Sequence, residues 1–83
     1  MKHLDIPASK CEAFKKVMHN TGWVITHQDV GQTELVGYGY IVIWQKEEAK
    51  VILHYSDRQG IAQAKLEFSS NCSEEIPHYI NQL

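Results

Sequence analysis

The stretch Glu34 to Gln45, ELVGYGYIVIWQ, is the longest run of β-branched and aromatic residues in the chain. Such a run is typical of a central β-strand. Because side chains alternate along a strand, the run divides between two faces. One face carries Val36, Tyr38, Tyr40, Val42 and Trp44. The other carries Leu35, Gly37, Gly39, Ile41 and Ile43. Both faces are apolar, which predicts that water is scarce on both.

Length and charge narrow the class of protein. The 83 residues predict a single domain spanning 1–83. A net charge of −2 argues against a dedicated nucleic-acid binder, which normally carries a basic field. The N-terminus, MKHLDIPASK, lacks the apolar region of a signal peptide, and no apolar run reaches membrane-spanning length. We therefore expect a cytoplasmic protein that does not enter a membrane. Cys11 and Cys72 are then expected as free thiols, with a disulfide as the alternative for an exported protein.

Two amphipathic segments predict helices at either end of the chain. Residues 9–12, SKCE, match a capping box that would start the first helix at Ser9, and Gly22 would end it in a left-handed conformation. Its apolar face would be Cys11, Phe14, Val17 and Met18. A short last helix would begin around Ser73–Pro77. Its apolar face would be Ile76, Tyr79, Ile80 and Leu83.

Four strands are predicted between the helices. They are strand A at about Trp23–Asp29, strand B at Glu34–Gln45, strand C at Ala49–Ser56 and strand D at Ile61–Ser69. Residues 1–8 are interpreted as a lead-in. The predicted fold is α+β, a four-stranded antiparallel meander sheet with an N-terminal and a short C-terminal helix packed on one face.

Loop positions fix an expected register. A tip at Glu47-Glu48 sets Trp44 opposite Val51, Val42 opposite Leu53 and Tyr40 opposite Tyr55. A loop at residues 57–60 sets Tyr55 opposite Ala62 and Leu53 opposite Ala64. A tip at Gly31-Gln32 sets Ile25 opposite Tyr38 and Asp29 opposite Glu34, a like-charge pair that indicates a bulge near Gly31. The predicted core face is Trp23, Ile25, Val36, Tyr38, Tyr40, Val42, Trp44, Val51, Leu53, Tyr55, Leu66 and Phe68.

The other sheet face is predicted to be polar at its edges and apolar at its centre. Strand A would contribute Val24, Thr26 and Gln28 to this face. Ile41, Ile43 and Ile52 would form an aliphatic strip there, because Ile43 opposes Ile52. A small protein seldom leaves such a strip open. We therefore predict a partner-binding surface, in which the glycines would let a partner's backbone approach closely. Its residues are Gly37, Gly39, Ile41, Ile43, Ile52 and His54. The alternative is that Leu4 and Ile6 fold back over the strip.

No residue pattern in the chain predicts catalysis, a metal site or a cofactor. The five histidines show no zinc-ligand spacing. His54 with Ser56, and His27 with Asp29, are i,i+2 pairs on single strands, which share a face automatically. Cys72 precedes a helix, but Glu74 and Glu75 oppose formation of its thiolate.

The order of a helix, the segment GWVI, a meander and a closing helix resembles the small toxin endoribonucleases that have a double-stranded-RNA-binding-like fold. The resemblance covers about the first third of the chain. Members of that family place a catalytic histidine after Gly-Ser in the first hairpin. The corresponding hairpin here reads HQDVGQT and lacks the motif, so the resemblance implies no catalytic residue.

These observations favour a non-enzymatic interaction module of regulator, inhibitor, immunity or phage anti-defence type. It would bind a protein partner, or itself as a homodimer, through the open sheet face or an edge strand. The alternative is an RNA-binding or RNA-cleaving domain that uses Lys10, Lys15 and Lys16 with His27 or His54. Retention on RNA that weakens with salt would separate the two hypotheses.

Overall fold

One antiparallel sheet and two helices make up the fold. The computed structural model describes residues 2–33, 37–58 and 61–83. Within these ranges the strands are β1 (Lys2–Ile6), β2 (Val24–Thr33), β3 (Gly37–Lys46), β4 (Ala49–Arg58) and β5 (Ile61–Phe68), and the helices are α1 (Cys11–Asn20) and α2 (Glu75–Asn81). The sheet order is β1-β5-β4-β3-β2, and both helices contribute to the core on one face. The α+β class is confirmed, whereas the predicted count of four strands is wrong.

The additional strand is the N-terminal segment, which pairs antiparallel with the outer edge of β5. Leu4 lies opposite Leu66 and Ile6 opposite Ala64. These two apolar side chains alternate with His3 and Asp5, so the strand turns one apolar face to the core. Ile6 is buried in the core, and the partly buried Leu4 packs against the core. The alternative in which they cover the aliphatic strip is therefore wrong, because they lie on the opposite face of the sheet.

The register between β3 and β4 is as predicted, with Trp44 opposite Val51 and Val42 opposite Leu53. The register between β4 and β5 differs by two residues, because the strands continue to Arg58 and resume at Ile61. Leu53 accordingly opposes Leu66 instead of Ala64. A shift of two residues leaves every side chain on its predicted face.

The register between β2 and β3 differs most from the prediction. β2 continues through Gly31 to Thr33, and Ile25 lies opposite Trp44 instead of Tyr38. The predicted start of strand B, residues 34–36, lies outside the described residues, as do residues 59–60 of the predicted C–D loop. Ile25 is 49% exposed and is not part of the core, because it lies on an outer strand of the sheet.

A β-bulge interrupts β2 at Thr26. Ile25 pairs with Trp44 and His27 pairs with Ile43, so Thr26 is an extra residue in the ladder. The Thr26 hydroxyl donates a 3.4 Å hydrogen bond to the Ile43 carbonyl across this point. The extra residue reverses the alternation along the strand. His27 and Asp29 therefore lie on the open face. Gln28, which the alternation had placed there, lies opposite Val42 on the helix-covered face.

The core lies between the helices and the sheet face they cover. The Phe14 and Trp44 rings meet edge to face with centroids 5.7 Å apart, and the Tyr40 and Tyr55 rings stack at 4.8 Å. The buried hydrophobic residues are Ile6, Cys11, Phe14, Met18, Trp23, Tyr40, Val42, Trp44, Val51, Leu53, Ala64, Leu66, Phe68, Cys72 and Ile76. Both cysteines are free thiols. The side chains of the predicted core residues Val36 and Tyr38 lie outside the part of the chain that the structure describes.

The two ends of α1 differ in how well the sequence predicts them. Gly22 has a φ of +91°, and the Trp23 amide donates to the Met18 carbonyl at 3.1 Å, which is the predicted left-handed ending in its Schellman form. The predicted capping box is wrong, because Lys10 occupies the N-cap and no side chain caps the helix there. A short 3₁₀ turn at Ala8–Lys10 precedes the helix instead. No helix in the described part of the chain is long and apolar enough to span a bilayer.

Candidate functional site

The sheet face opposite the helices carries the aliphatic strip of Ile41, Ile43 and Ile52, here called the isoleucine strip. Ile43 lies directly opposite Ile52, as predicted, and Ile41 lies opposite His54. Ile41 is 37% exposed, while Ile43 and Ile52 are partly buried. The strip therefore lies on β4, the central strand of the five-stranded sheet, and on the adjacent β3, and Ile41 is accessible at its surface.

Cross-strand pairing arranges the open face in two rows. The first row runs across the sheet from β2 to β1 as His27, Ile43, Ile52, Glu67 and His3. The second row runs parallel to it as Asp29, Ile41, His54, Lys65 and Asp5. Directly opposed residues share a face. The three isoleucines therefore lie on β3 and β4, and the strands on either side, β2 and β5, carry histidine or charged side chains.

A carboxylate flanked by two imidazoles lies at the β1 side of this face. Glu67 Oε1 is 3.7 Å from His3 Nδ1 and 3.8 Å from His54 Nε2. Within the described residues His54 Nε2 has no hydrogen-bond partner, although the atom itself is buried. At this range a carboxylate attracts a protonated imidazole through its charge but is too far away for a hydrogen bond. The sequence analysis considered His54 with Ser56 and did not predict this cluster, because His3 comes close to Glu67 only when the N-terminal segment forms β1.

Two opposite charges stand on either side of the isoleucine strip. Lys65 on β5 and Asp29 on β2 are both exposed. Neither belongs to an ion pair within the described residues. Asp29 was expected opposite Glu34, whereas it lies opposite Ile41. The bulge at Thr26 is the reason that sequence alternation did not place it on this face.

The predicted glycines have different surroundings. A Cβ atom added to Gly39 would lie 3.1 Å from the Tyr55 carbonyl oxygen of β4, which is tighter than ordinary van der Waals contact. Close approach of β4 therefore accounts for glycine at this position without a partner's backbone. Gly37 begins β3 and pairs with Thr33; its surroundings lie outside the described part of the chain.

Of the three lysines in and just before α1, Lys15 is engaged by other groups of the chain. Lys15 Nζ lies 2.9 Å from Glu12 Oε1 and 4.7 Å from the centroid of the Tyr40 ring. Both contacts hold this ammonium group on the folded chain. Lys10 and Lys16 are exposed.

A second apolar patch lies at the start of β2. Val24 is 62% exposed, and it lines a groove with Ile25, Trp23 and His19. The Trp23 indole Nε1 is buried without a hydrogen-bond partner in the described structure. This patch lies beside α1 and is separate from the isoleucine strip.

Within residues 2–33, 37–58 and 61–83, no group of three or more His, Cys, Asp or Glu side chains is placed to hold a metal ion.

Comparisons with family models, curated proteins and solved structures return no match for the chain. The open face is accordingly the basis for assigning a function.

Proposed function

We propose that this chain is a small non-enzymatic interaction module, of the regulator or inhibitor kind, that binds a protein through its open sheet face. The observation that carries the proposal is the isoleucine strip, partly exposed at the centre of a sheet whose other face is filled by two helices. Exposed contiguous apolar surface of this kind marks interaction sites in small proteins.

The composition of the face supports this assignment. Protein interfaces combine an apolar centre, depleted of charge, with a polar rim that water can reach. Here Ile43 and Ile52 form the centre, and Asp29 and Lys65 lie outside them on the neighbouring strands. The apolar centre would supply affinity, and the charges around it would select orientation and partner.

The experiment is a pull-down from the source cell with the wild-type chain, Ile43→Lys and the matched control Ile25→Lys. Ile25 is 49% exposed and lies opposite Trp44 on the helix-covered side of the sheet, so the control adds the same charge to an exposed isoleucine away from the open face. We expect Ile43→Lys to lose partners that the other two proteins retain. If Ile43→Lys remains folded by circular dichroism and keeps both its partners and its oligomeric state, this surface is ruled out.

RNA binding or cleavage is the second candidate, and the cluster of His3, Glu67 and His54 supports it. General acid–base chemistry needs an imidazole near its partner groups, and a carboxylate within 3.8 Å would favour the protonated form of His54 by its charge. The test is RNA retention across a salt series together with an RNA cleavage assay on His54→Ala and on the helix variant Lys16→Ala. Salt-sensitive retention with cleavage lost in His54→Ala would support this function, and absence of retention at low salt would exclude it.

A further inference from the structure

A groove lies at the corner of the sheet where β1 ends beside β5. The pairing of β1 with β5 extends only as far as Ile6 opposite Ala64, and the chain then turns away through Pro7 into the 3₁₀ turn. The strand β5 continues beyond this point over residues 61–63, which therefore have no neighbour in β1. The space beside them has a volume of about 620 Å³, which is in the range of small-molecule sites.

Five polar side chains from three strands line this groove. They are Asp5 on β1, His54 and Ser56 on β4, and Gln63 and Lys65 on β5. Lys65 lies between its two cross-strand neighbours, Asp5 and His54. Gln63 and Ser56 form the next pair along the same strands. Because side chains alternate along a strand and directly opposed residues share a face, all five belong to the open face.

These five side chains make no hydrogen bond to any group in residues 2–33, 37–58 and 61–83. Asp5 and Lys65 carry opposite charges and are directly opposed, yet they form no ion pair with each other. His54 Nε2 is buried without a hydrogen-bond partner among the described residues. The groove therefore presents one carboxylate and one ammonium group, together with polar groups that the described chain does not use.

We infer that this groove binds a free α-amino acid in its zwitterionic form, with the ligand's carboxylate on Lys65 and its ammonium group on Asp5. A small anion would bind Lys65 but would be repelled by Asp5, and a small cation would be repelled by Lys65. Directly opposed residues have Cβ atoms about 5 Å apart. One small ligand therefore reaches both charges most readily if its own two charges lie close together, and an α-amino acid carries both on one carbon atom.

The neutral side chains of the groove would complete the site. The Ser56 hydroxyl and the Gln63 carboxamide can each donate and accept hydrogen bonds, so they can contact either charged group of the ligand. Ala62 and Pro7 add apolar surface to the lining, which favours an amino acid with an aliphatic side chain. The inference does not rest on the proposed function, because no member of the isoleucine strip is among the described lining residues.

The test is a titration of the isotope-labelled wild-type chain with L-leucine at millimolar concentrations, followed by two-dimensional amide NMR. We expect saturable shifts at the amide signals of Ser56, Gln63 and Lys65, and no shift at Glu75 in α2. Two matched ligands each lack one charge, namely N-acetyl-leucine without the ammonium group and leucinamide without the carboxylate. Each should bind at least about tenfold more weakly than leucine, because a charge-assisted contact is lost.

Variants of the two charged residues provide the second arm. Lys65→Met and Asp5→Asn each remove one charge with little change in size, and each should weaken leucine binding at least about tenfold. The matched control Lys16→Met removes an exposed ammonium group from α1 and should bind leucine as wild type does. Ile43→Lys should also bind leucine normally whatever its effect on protein partners, so failure of this inference and failure of the proposed function are distinguishable.

Four results would overturn the inference. The first is the absence of any saturable shift with leucine, and the second is a set of shifts confined to signals outside the groove. The third is equal binding of leucine, N-acetyl-leucine and leucinamide, because the two charges would then not be recognised together. The fourth is binding of N-acetyl-leucine alone, which would make the groove an anion site. The ligand series uses the wild-type chain, so it is decisive even where a variant fails to fold.

Discussion

Ile43 on β3 and Ile52 on β4, the central strand, lie directly opposite each other on the sheet face away from the helices. Their neighbours across the sheet in the same row are His27 and Glu67. The pair therefore brings an apolar centre and a polar border into one cross-strand line. This geometry gives a small chain an apolar surface built on regular strands, whose positions are fixed by backbone pairing.

Leu53 tests the core that supports this surface. Its side chain is fully buried with Phe14 and Trp44. Leu53→Ala should reduce the free energy of unfolding by about 2–5 kcal/mol, because it leaves a cavity. Denaturant melts would measure the loss, with Ile41→Ala on the exposed strip as the control of smaller effect. A near-neutral Leu53→Ala protein would contradict the described packing.

Ile6 tests the additional strand. Because Ile6 is buried against the core, Ile6→Ala should destabilise the fold by about 2–5 kcal/mol. Asp5→Ala changes the adjacent exposed position and should stay within about 0.5 kcal/mol of wild type. Thermal or urea unfolding of the two variants separates a packed strand from a loose tail. Equal, small effects at both positions would mean that β1 adds nothing to stability.

Gly22 tests the ending of α1. Its φ of +91° is unfavourable for a residue with a Cβ atom. Gly22→Ala should therefore cost about 1–2 kcal/mol of stability. Gly22→Asn should cost less, because asparagine tolerates the left-handed region. Urea melts that rank the alanine variant above the asparagine variant would be inconsistent with this ending.

Stability should decline at alkaline pH. Burial raises the pKa of the Cys11 thiol above its ordinary value of 9.0, and burial likewise raises the pKa of Tyr40 above 10.0. The folded state thus retains protons that the unfolded state releases, so stability is fully present below pH 9 and falls as pH rises above it. Urea melts at several pH values between about 7 and about 11 should show the decline in the free energy of unfolding. Tyr40→Phe should flatten its upper part, and an unchanged profile would exclude Tyr40 as a source.

The sequence predicted the parts of the sheet that depend on local hairpins. The tip at Glu47-Glu48 fixed the register of β3 and β4, so Ile43 and Ile52 were placed together correctly. The error of two residues between β4 and β5 did no harm to the faces, because side chains repeat every two residues. The isoleucine strip could therefore be predicted without the structure.

The charged border of the strip could not be predicted in the same way. β1 pairs with β5 across most of the chain length, and its five residues give too short a pattern to indicate a strand. His3 could not be placed beside Glu67 for that reason. The expected like-charge pair of Asp29 and Glu34 did indicate an irregularity in this hairpin, but it gave the wrong position. A bulge depends on tertiary packing, and alternation alone does not locate it.

The bulge at Thr26 also determines where β2 could change in length during divergence or redesign. Because Ile25 and His27 pair with the consecutive residues Trp44 and Ile43, deleting Thr26 would leave a regular ladder with both neighbours in register. A deletion at Gln28 would instead shift one side of the strand and exchange its two faces. Urea melts of the two deletion variants would show the difference directly, as a smaller loss in the free energy of unfolding for the deletion of Thr26. We therefore expect position 26 to tolerate the loss of its residue, with His27 and Asp29 remaining on the open face.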